Sequence, residues 1–485
     1  IIVKEDEIII DEIKSTYKEL NQIDENYNPV HWAQATCYGY IYCTNNDVEK
    51  ISIQLRYYNL VSLNTKELIK EYTKEELEMI FYNIIKKYID WAETITNWQD
   101  IRNKSIRQLS FPFEKYRDGQ RKFAVAVYKT IQERKKLFVQ APTGVGKTIS
   151  TIFPAIKSIP TTGSSKIFYL TAKSITKQVA FDTIKIMSKQ GLKIKAIVLT
   201  AKEKICFKDE CICEPDYCQY ARGYFDRINK ALLQAMKEED LFSREYIEKI
   251  SNKYEVCPFE FSLDLSLMCD MTICDYNYFF DPRVSLKREF STTNLKDIIL
   301  IDEAHNLVDR TRSMYSSELC KKDFLDAARP LKNNEKDLYK SLKKINSQLL
   351  ELKKLLSEKQ INKVLENEPE ELIKKLKQFI TICDEWLEKN RTHLHYKTIL
   401  DIYYQSISFL RISEVVDDNF CYYIEKDERK FRIKVFCINP ANILMEITKN
   451  TGAVIYFSAT LTPLKYFRYI LGGETKDYIL ELKSP

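Results

Sequence analysis

The chain has 485 residues, with 75 Lys and Arg against 69 Asp and Glu and a formal net charge of +6. At about 100–200 residues per domain this length predicts two to four domains, and 45% apolar against 30% charged residues excludes disorder as the main state. No apolar run approaches the ~18–20 residues of a membrane span, and the opening IIVKEDEIII mixes charges into its apolar stretch, which excludes a signal peptide. A first residue of Ile1 rather than Met points to a fragment of a longer chain. The 13 cysteines, with no secretion signal, point to a reducing, cytoplasmic compartment in which thiols are buried, reactive or metal-bound. The mild positive charge does not by itself imply a nucleic-acid partner.

Taken in chain order, Ile8 to Lys14 reads as a strand, and its period of two puts Glu12 and Lys14 on one face. A carboxylate for Mg²⁺ and a lysine for the attacked phosphate or water make a nuclease pair. His31 to Tyr38 reads as helix, with Gln34 and Tyr38 one turn apart. E-x-K followed by Q-x-x-x-Y resembles the PD-(D/E)xK nucleases of the RecB type. That resemblance implies a further metal-binding Asp on the preceding strand. Here the preceding strand is Ile1 to Lys4, and Asp6, at the apparent turn, is a poor substitute. Residues 1–65 are therefore expected to form a partial nuclease-like domain with an incomplete carboxylate set. Residues 66–105 are expected to form a helical linker.

Leu137 to Gln140 reads as a short buried strand that runs into Ala141-Pro142-Thr143-Gly144-Val145-Gly146-Lys147-Thr148 and then a helix. Strand, glycine loop and helix is the context that phosphate binding requires. Only 10 glycines occur in the chain, so two of them two residues apart need a reason. Glycines let backbone N–H groups curl around phosphate oxygens at the positive end of a helix dipole. Lys147 is expected to neutralise β/γ-phosphate charge and the Thr148 hydroxyl to meet Mg²⁺. Upstream, Tyr116-Arg117-Asp118-Gly119-Gln120 is placed to set Gln120 against the adenine edge of ATP, with Arg117 beside it. Ile167 to Leu170 forms another strand, ending in Thr171-Ala172-Lys173.

Cys206, Cys211, Cys213, Cys218 and Cys257 follow, and thiolates at these positions suit either zinc or an iron–sulfur cluster. Cys269 and Cys274 lie in an apolar segment and read as core thiols. Asp297 to Ile301 is a strand ending in Asp302-Glu303-Ala304-His305. A carboxylate at the C-terminal end of a neighbouring parallel strand is where Mg²⁺ must be met from the far side. Asp302 would hold the metal, Glu303 would orient and deprotonate the attacking water, and His305 would pass on the nucleotide state.

Residues 307–440 contain no glycine. Leu338, Leu342, Ile345, Leu349, Leu352 and Leu356 form a heptad-like stripe, and Leu372, Leu376, Phe379, Cys383 and Trp386 form another after Pro369. Two such stripes predict an antiparallel helical pair. NFCYYIEKDERKFRIKVFCINP predicts a β-hairpin. Ala453 to Phe457 is a further strand for the same parallel sheet, ending in Ser458-Ala459-Thr460.

APTGVGKT, DEAH and SATLTP in that order resemble superfamily 2 helicases. YRDGQ and the cysteine segment resemble the XPD/DinG family of iron–sulfur DNA helicases in particular, over about residues 105–485. The resemblance implies an α/β fold: a RecA-like P-loop motor domain (106–205, 258–306 and 441–485) with a cysteine-cluster insertion (206–257) and a helical arch insertion (307–440). It implies a [4Fe–4S] cluster on Cys206, Cys213, Cys218 and Cys257, with Cys211 exchangeable for Cys213. It also implies ATP-dependent 5′→3′ movement on single-stranded DNA and at DNA forks, in DNA repair, by a monomer that touches no membrane. Arg222, Arg227 and Lys230 are expected near phosphates, and Tyr276-Asn277-Tyr278 near bases. A second motor half with arginine fingers should follow SATLTP, but no arginine-rich motif is read before Pro485. Two rival readings are a metal-dependent nuclease that uses the motor as a clamp, and a non-catalytic nucleic-acid-binding module held together by metal.

Overall fold

A computed structural model describes residues 1–4, 7–164, 166–214, 216–284, 296–427 and 430–483. The chain divides into two compact units, Ile1–Ile101 and Arg102–Pro485. Among the described residues no helix is long and apolar enough to cross a membrane.

The first unit is a mixed sheet in the order β1 (Ile2–Lys4), β2 (Glu7–Thr16), β3 (Lys50–Asn59), β4 (Thr65–Thr73). β2 and β3 run parallel, joined through the helix Pro29–Asn46, and the other pairs are antiparallel. Asn28 caps that helix by accepting from the Val30 N–H, and Pro29 takes the first helical position, where its missing N–H costs nothing. The helix lies close on the sheet at Gly39, where a Cβ would come within 2.6 Å of Ile53 Cδ1. Ile10, Ala35, Ile51, Ile53, Leu55 and Tyr57 form the core beneath it. The helix expected over 66–105 starts only at Lys74 and runs to Gln108. Residues 66–73 instead belong to β4, because TKELIKEYT alternates in exposure with period two and pairs with β3. Asp6 lies outside the described residues.

The second unit carries β5 (Lys136–Gln140), β6 (Ile167–Leu170), β7 (Ala196–Val198), β8 (Leu241–Phe242), β9 (Met271–Cys274), β10 (Ile298–Asp302), β11 (Ser317–Cys320), β12 (Asn362–Val364), β13 (Phe420–Lys426), β14 (Phe431–Cys437), β15 (Ala453–Ser458) and β16 (Tyr478–Glu481). Eight of these make an all-parallel sheet in the order β16-β5-β15-β10-β6-β9-β7-β8. The central runs, FV in β5, IFYL, IILI and AVIYF, are buried along their length, as parallel strands covered on both faces must be. Helices Gln120–Gln132, Lys147–Thr162 and Ser174–Lys189 pack on this sheet and supply its apolar cover.

The segment between β10 and β15 has a core of its own. Helices Lys336–Lys354 and Glu370–Lys389 pack together through the expected leucine stripes, and helix Tyr396–Ser413 joins them. The expected hairpin is β13–β14, in register from Phe420↔Cys437 to Lys426↔Phe431, inside a small antiparallel sheet β11-β14-β13-β12. The chain segments entering and leaving this insertion touch: Arg312 Nε donates to Ile438 O at 3.0 Å, and the Cys437 N–H donates to Ser316 Oγ at 3.0 Å.

Inside the second unit, Arg102 Nη1 lies 2.5 Å from Asp270 Oδ1, with both side chains at or below 10% exposure. The other Asp270 oxygen accepts from the Lys195 N–H at 2.8 Å. A buried pair broken on one side leaves an uncompensated charge. Arg102→Ala is therefore expected to lower unfolding free energy by about 3–5 kcal/mol in chemical denaturation; a loss below about 1 kcal/mol would show that the pair is solvated.

Candidate nucleotide site

Register fixes the site. Gln140 pairs with Ser458, Phe457 with Asp302, and Leu170 with Ile301. The phosphate loop, the SAT turn, the DEAH turn and the TAK turn therefore share the carboxyl edge of one sheet, the edge where open parallel sheets bind ligands.

The loop is held from several sides. The Ala141 N–H donates to Ser458 O at 2.9 Å, and Arg117 Nη1 donates to Gly144 O at 2.7 Å. Val145 is buried beneath the loop. Gly144 and Gly146 have φ of +90° and +79°, a region in which L side chains are strained. Gly146 also caps helix Lys147–Thr162, whose free N-terminal amides suit an anion. Lys147 Nζ lies 3.9 Å from Glu303 Oε1, where an incoming phosphate would compete for it.

Asp302 is 3% exposed, and burial raises its pKa. Its oxygens are both satisfied: Tyr169 donates to Oδ2 at 2.7 Å and the Glu303 N–H donates to Oδ1 at 2.8 Å. Burial and the Asp302 charge hold the Tyr169 pKa well above its ordinary value while Thr148 nearby acts the other way, so the two oxygen donors expected to meet Mg²⁺ both lie near one tyrosine. Donor type and convergence fit that ion. Glu303 has φ of +51°, rare for a non-glycine residue and costly unless its surroundings enforce it. Tyr276 supplies such enforcement, donating to the carbonyls of Asp302 and Glu303, the latter at 3.1 Å. Glu303 Oε2 accepts from Ser458 Oγ at 3.3 Å, and His305 Nδ1 lies 2.7 Å from the same Oγ. DEAH and SAT are thus one hydrogen-bonded network. A carboxylate held between a phosphate-loop lysine and a serine can orient a water for attack on phosphorus.

Some residues sit differently from expectation. Gln120 is 2% exposed; its Oε1 accepts from the Arg117 N–H at 2.9 Å and its amide nitrogen packs on Gly146. Its side chain braces the phosphate loop. Tyr276 is fully buried with its hydroxyl on the DEAH turn, so it does not face bases as expected, while Tyr278, 6% exposed in the short helix Asn277–Phe280, lines the basic cavity beyond the ends of β6, β9 and β7. Arg227 Nη2 donates to Arg222 O at 2.6 Å and Glu255 O at 2.7 Å, so it closes the cysteine loop on itself instead of facing phosphates.

The cysteines gather without converging fully. Cys206 ends helix Lys202–Ile205, and Cys257 caps helix Pro258–Ser266. Burial, then the neighbouring Cys206, raise the Cys211 pKa, and Cys213 Sγ lies 3.7 Å from Cys211 O. Burial opposes the charge on Lys202, yet its pKa is raised by its bond to Cys213 and by Cys257 nearby. Cys218 is buried. Burial raises the Cys257 pKa, while N–H groups of Glu260 and Phe259 pull the other way, as they would for a thiolate ligand. Among the described residues, no group of three or more metal-ligating side chains has closed. Cys269 and Cys274 are buried, as expected of core thiols.

A cavity of about 1010 Å³ opens beyond the ends of β6, β9 and β7, lined by Lys177, Lys202, Arg244, Arg283, Arg310 and Tyr278 among others. Its cations suit a phosphate backbone.

In the first unit, Glu12 and Lys14 lie 2.7 Å apart, Lys14 Nζ donates to Gln34 at 2.9 Å, and Gln34 donates to Tyr38 at 3.2 Å. The structure thus brings these residues together. Asp11 does not join them: Arg56 and Gln54 hold it at 3.1 and 2.9 Å.

Parallel sheet, phosphate loop and DEAH carboxylates together define a RecA-like motor domain. The DEAD_2 family model matches residues 167–324. A probable ATP-dependent helicase of Methanocaldococcus jannaschii is 25% identical over 207 residues, covering 42% of this chain and 30% of that protein. A regulator of telomere elongation helicase 1 homolog of Caenorhabditis elegans is 23% identical, covering 44% of this chain and 25% of that protein. The chain thus spans less than a third of the length of these relatives. A truncated XPD structure superposes with a TM-score of 0.51 at 18% identity, over 74% of this chain and 99% of that one. The motor is similar in fold and sequence to XPD/DinG-type superfamily 2 helicases.

Proposed function

We propose that the protein is the ATP-driven motor part of an XPD/DinG-type DNA helicase that moves 5′→3′ on single-stranded DNA. The approach of Lys147 to Glu303, beside an Asp302 carboxylate held by Tyr169, carries this reading. Lys147 neutralises the β/γ-phosphates, and loop amides from Gly144, Val145 and Gly146 cradle them. Thr148 and Asp302 are the oxygen donors for Mg²⁺, which supplies charge neutralisation between phosphates. Glu303 orients the attacking water. Ser458 and His305 carry the change in Glu303 to the SAT turn, and the basic cavity takes the DNA backbone. Neither a pure clamp nor a non-catalytic binder needs a carboxylate set against a phosphate-loop lysine.

Motors of this class need an arginine from a second motor domain, so the test belongs to the full-length protein. It is expected to show ATPase activity stimulated by single-stranded DNA. Lys147→Ala should weaken nucleotide binding at least about tenfold. Glu303→Gln should keep binding and lose about 10²–10⁴ in turnover. Turnover indifferent to Glu303→Gln would overturn the assignment.

The all-thiolate loop is assigned to a [4Fe–4S] cluster on Cys206, Cys213, Cys218 and Cys257, with Cys211 exchangeable for Cys213. The cluster would cross-link a loop with little core of its own. Protein purified without oxygen should absorb near about 400 nm and contain iron; stoichiometric zinc without iron would refute the cluster.

The first unit is assigned as a nuclease-like domain, supported by the Glu12–Lys14–Gln34–Tyr38 chain. Any Mg²⁺- or Mn²⁺-dependent cutting by the full-length protein should vanish in Glu12→Ala. Cutting that survives this change would place the nuclease site elsewhere.

A further inference from the structure

Tyr169 stands inside β6, in a run that otherwise reads as plain core. It is fully buried, yet its hydroxyl donates to Asp302 Oδ2 at 2.7 Å, from β6 to the neighbouring strand β10. With Oδ1 taken by the Glu303 N–H, the carboxylate plane is set by two donors on opposite oxygens. A buried carboxylate fixed this way cannot swing to follow a metal ion. Its orientation is set before nucleotide arrives.

We propose that Tyr169 is a positioning residue that holds the Asp302 carboxylate in place, and thereby sets the Mg²⁺ requirement of nucleotide binding. The inference rests on the nucleotide reading above. An Asp302 already oriented by Tyr169 would lose little order on holding Mg²⁺. Phenylalanine at this position keeps the ring and its packing and removes only the hydroxyl.

The test measures binding of a fluorescent ATP analogue to the full-length protein, first in EDTA and then across a Mg²⁺ titration. In Tyr169→Phe the metal-free affinity should stay within about twofold of wild type, while half-saturating Mg²⁺ rises about tenfold, the size of one hydrogen bond to a charged group. In an Asp302→Asn background, adding Tyr169→Phe should change the Mg²⁺ response no further, because the tyrosine acts through that carboxylate. An unchanged Mg²⁺ midpoint in Tyr169→Phe overturns the inference. So does an equal loss of affinity with and without metal, which would mark Tyr169 as packing alone. Absence of analogue binding in the wild type, with or without metal, would instead overturn the nucleotide reading. If Tyr169→Phe does not fold, a Tyr169→3-fluorotyrosine protein, which keeps the hydroxyl and alters its acidity, should still move the Mg²⁺ midpoint; no movement overturns the inference.

Discussion

A carboxylate 3% exposed to solvent costs several kcal/mol unless its oxygens are satisfied, and the motor is arranged around satisfying Asp302. Tyr169 arrives from β6, the Glu303 N–H from the turn itself, and Tyr276 from beyond β9 to hold the turn's carbonyls. With that turn fixed, Glu303 is locked into a left-handed conformation and faces Lys147. The strain is local and its restraints come from separate strands. The site is therefore as rigid as the sheet, while His305 and Ser458 remain at its rim as the polar link outward.

The same economy of polar groups appears at the cysteine loop. One guanidinium, Arg227, collects the carbonyls of Gln219, Arg222 and Glu255 and ties the two ends of the loop together. Lys202 stands both beside Cys213 and in the wall of the basic cavity. On the proposed reading, metal and DNA backbone meet the protein within one side chain of each other.

Much of the motor was legible because parallel strands buried on both faces read as unbroken apolar runs, each ending in its motif. The heptad stripes and the β13–β14 hairpin were legible for the same reason: periodicity survives wherever one face is buried. What escaped was cross-strand. Tyr169 looks like a core aromatic until the fold puts Asp302 against its hydroxyl, and Tyr276, expected near bases, instead turns its hydroxyl onto the carbonyls of the DEAH turn. Arg227 reads as a surface cation until the loop closes around it. TKELIKEYT carries charges that suit a helix or an exposed edge strand equally, and only pairing with β3 decides. Gln120 sits where expected in the chain, but its amide is turned onto the loop glycine. Asp11 and Glu12 are neighbours in sequence with opposite tasks, because successive strand residues face opposite sides.

Among the described residues, β5, the strand that launches the phosphate loop, is flanked by β15 and β16. Both are made long after it: during synthesis, roughly 300 residues must leave the ribosome between the strand and its partners, about 15–60 s at about 5–20 residues per second. Meanwhile the β11–β14 insertion can fold on its own core, since its two ends already touch. The unpaired edge of β5 is left exposed as a template for wrong pairing. Nascent chains of this protein should thus depend on chaperones most heavily in that interval, until β15 and β16 close the sheet on both sides of the phosphate-loop strand.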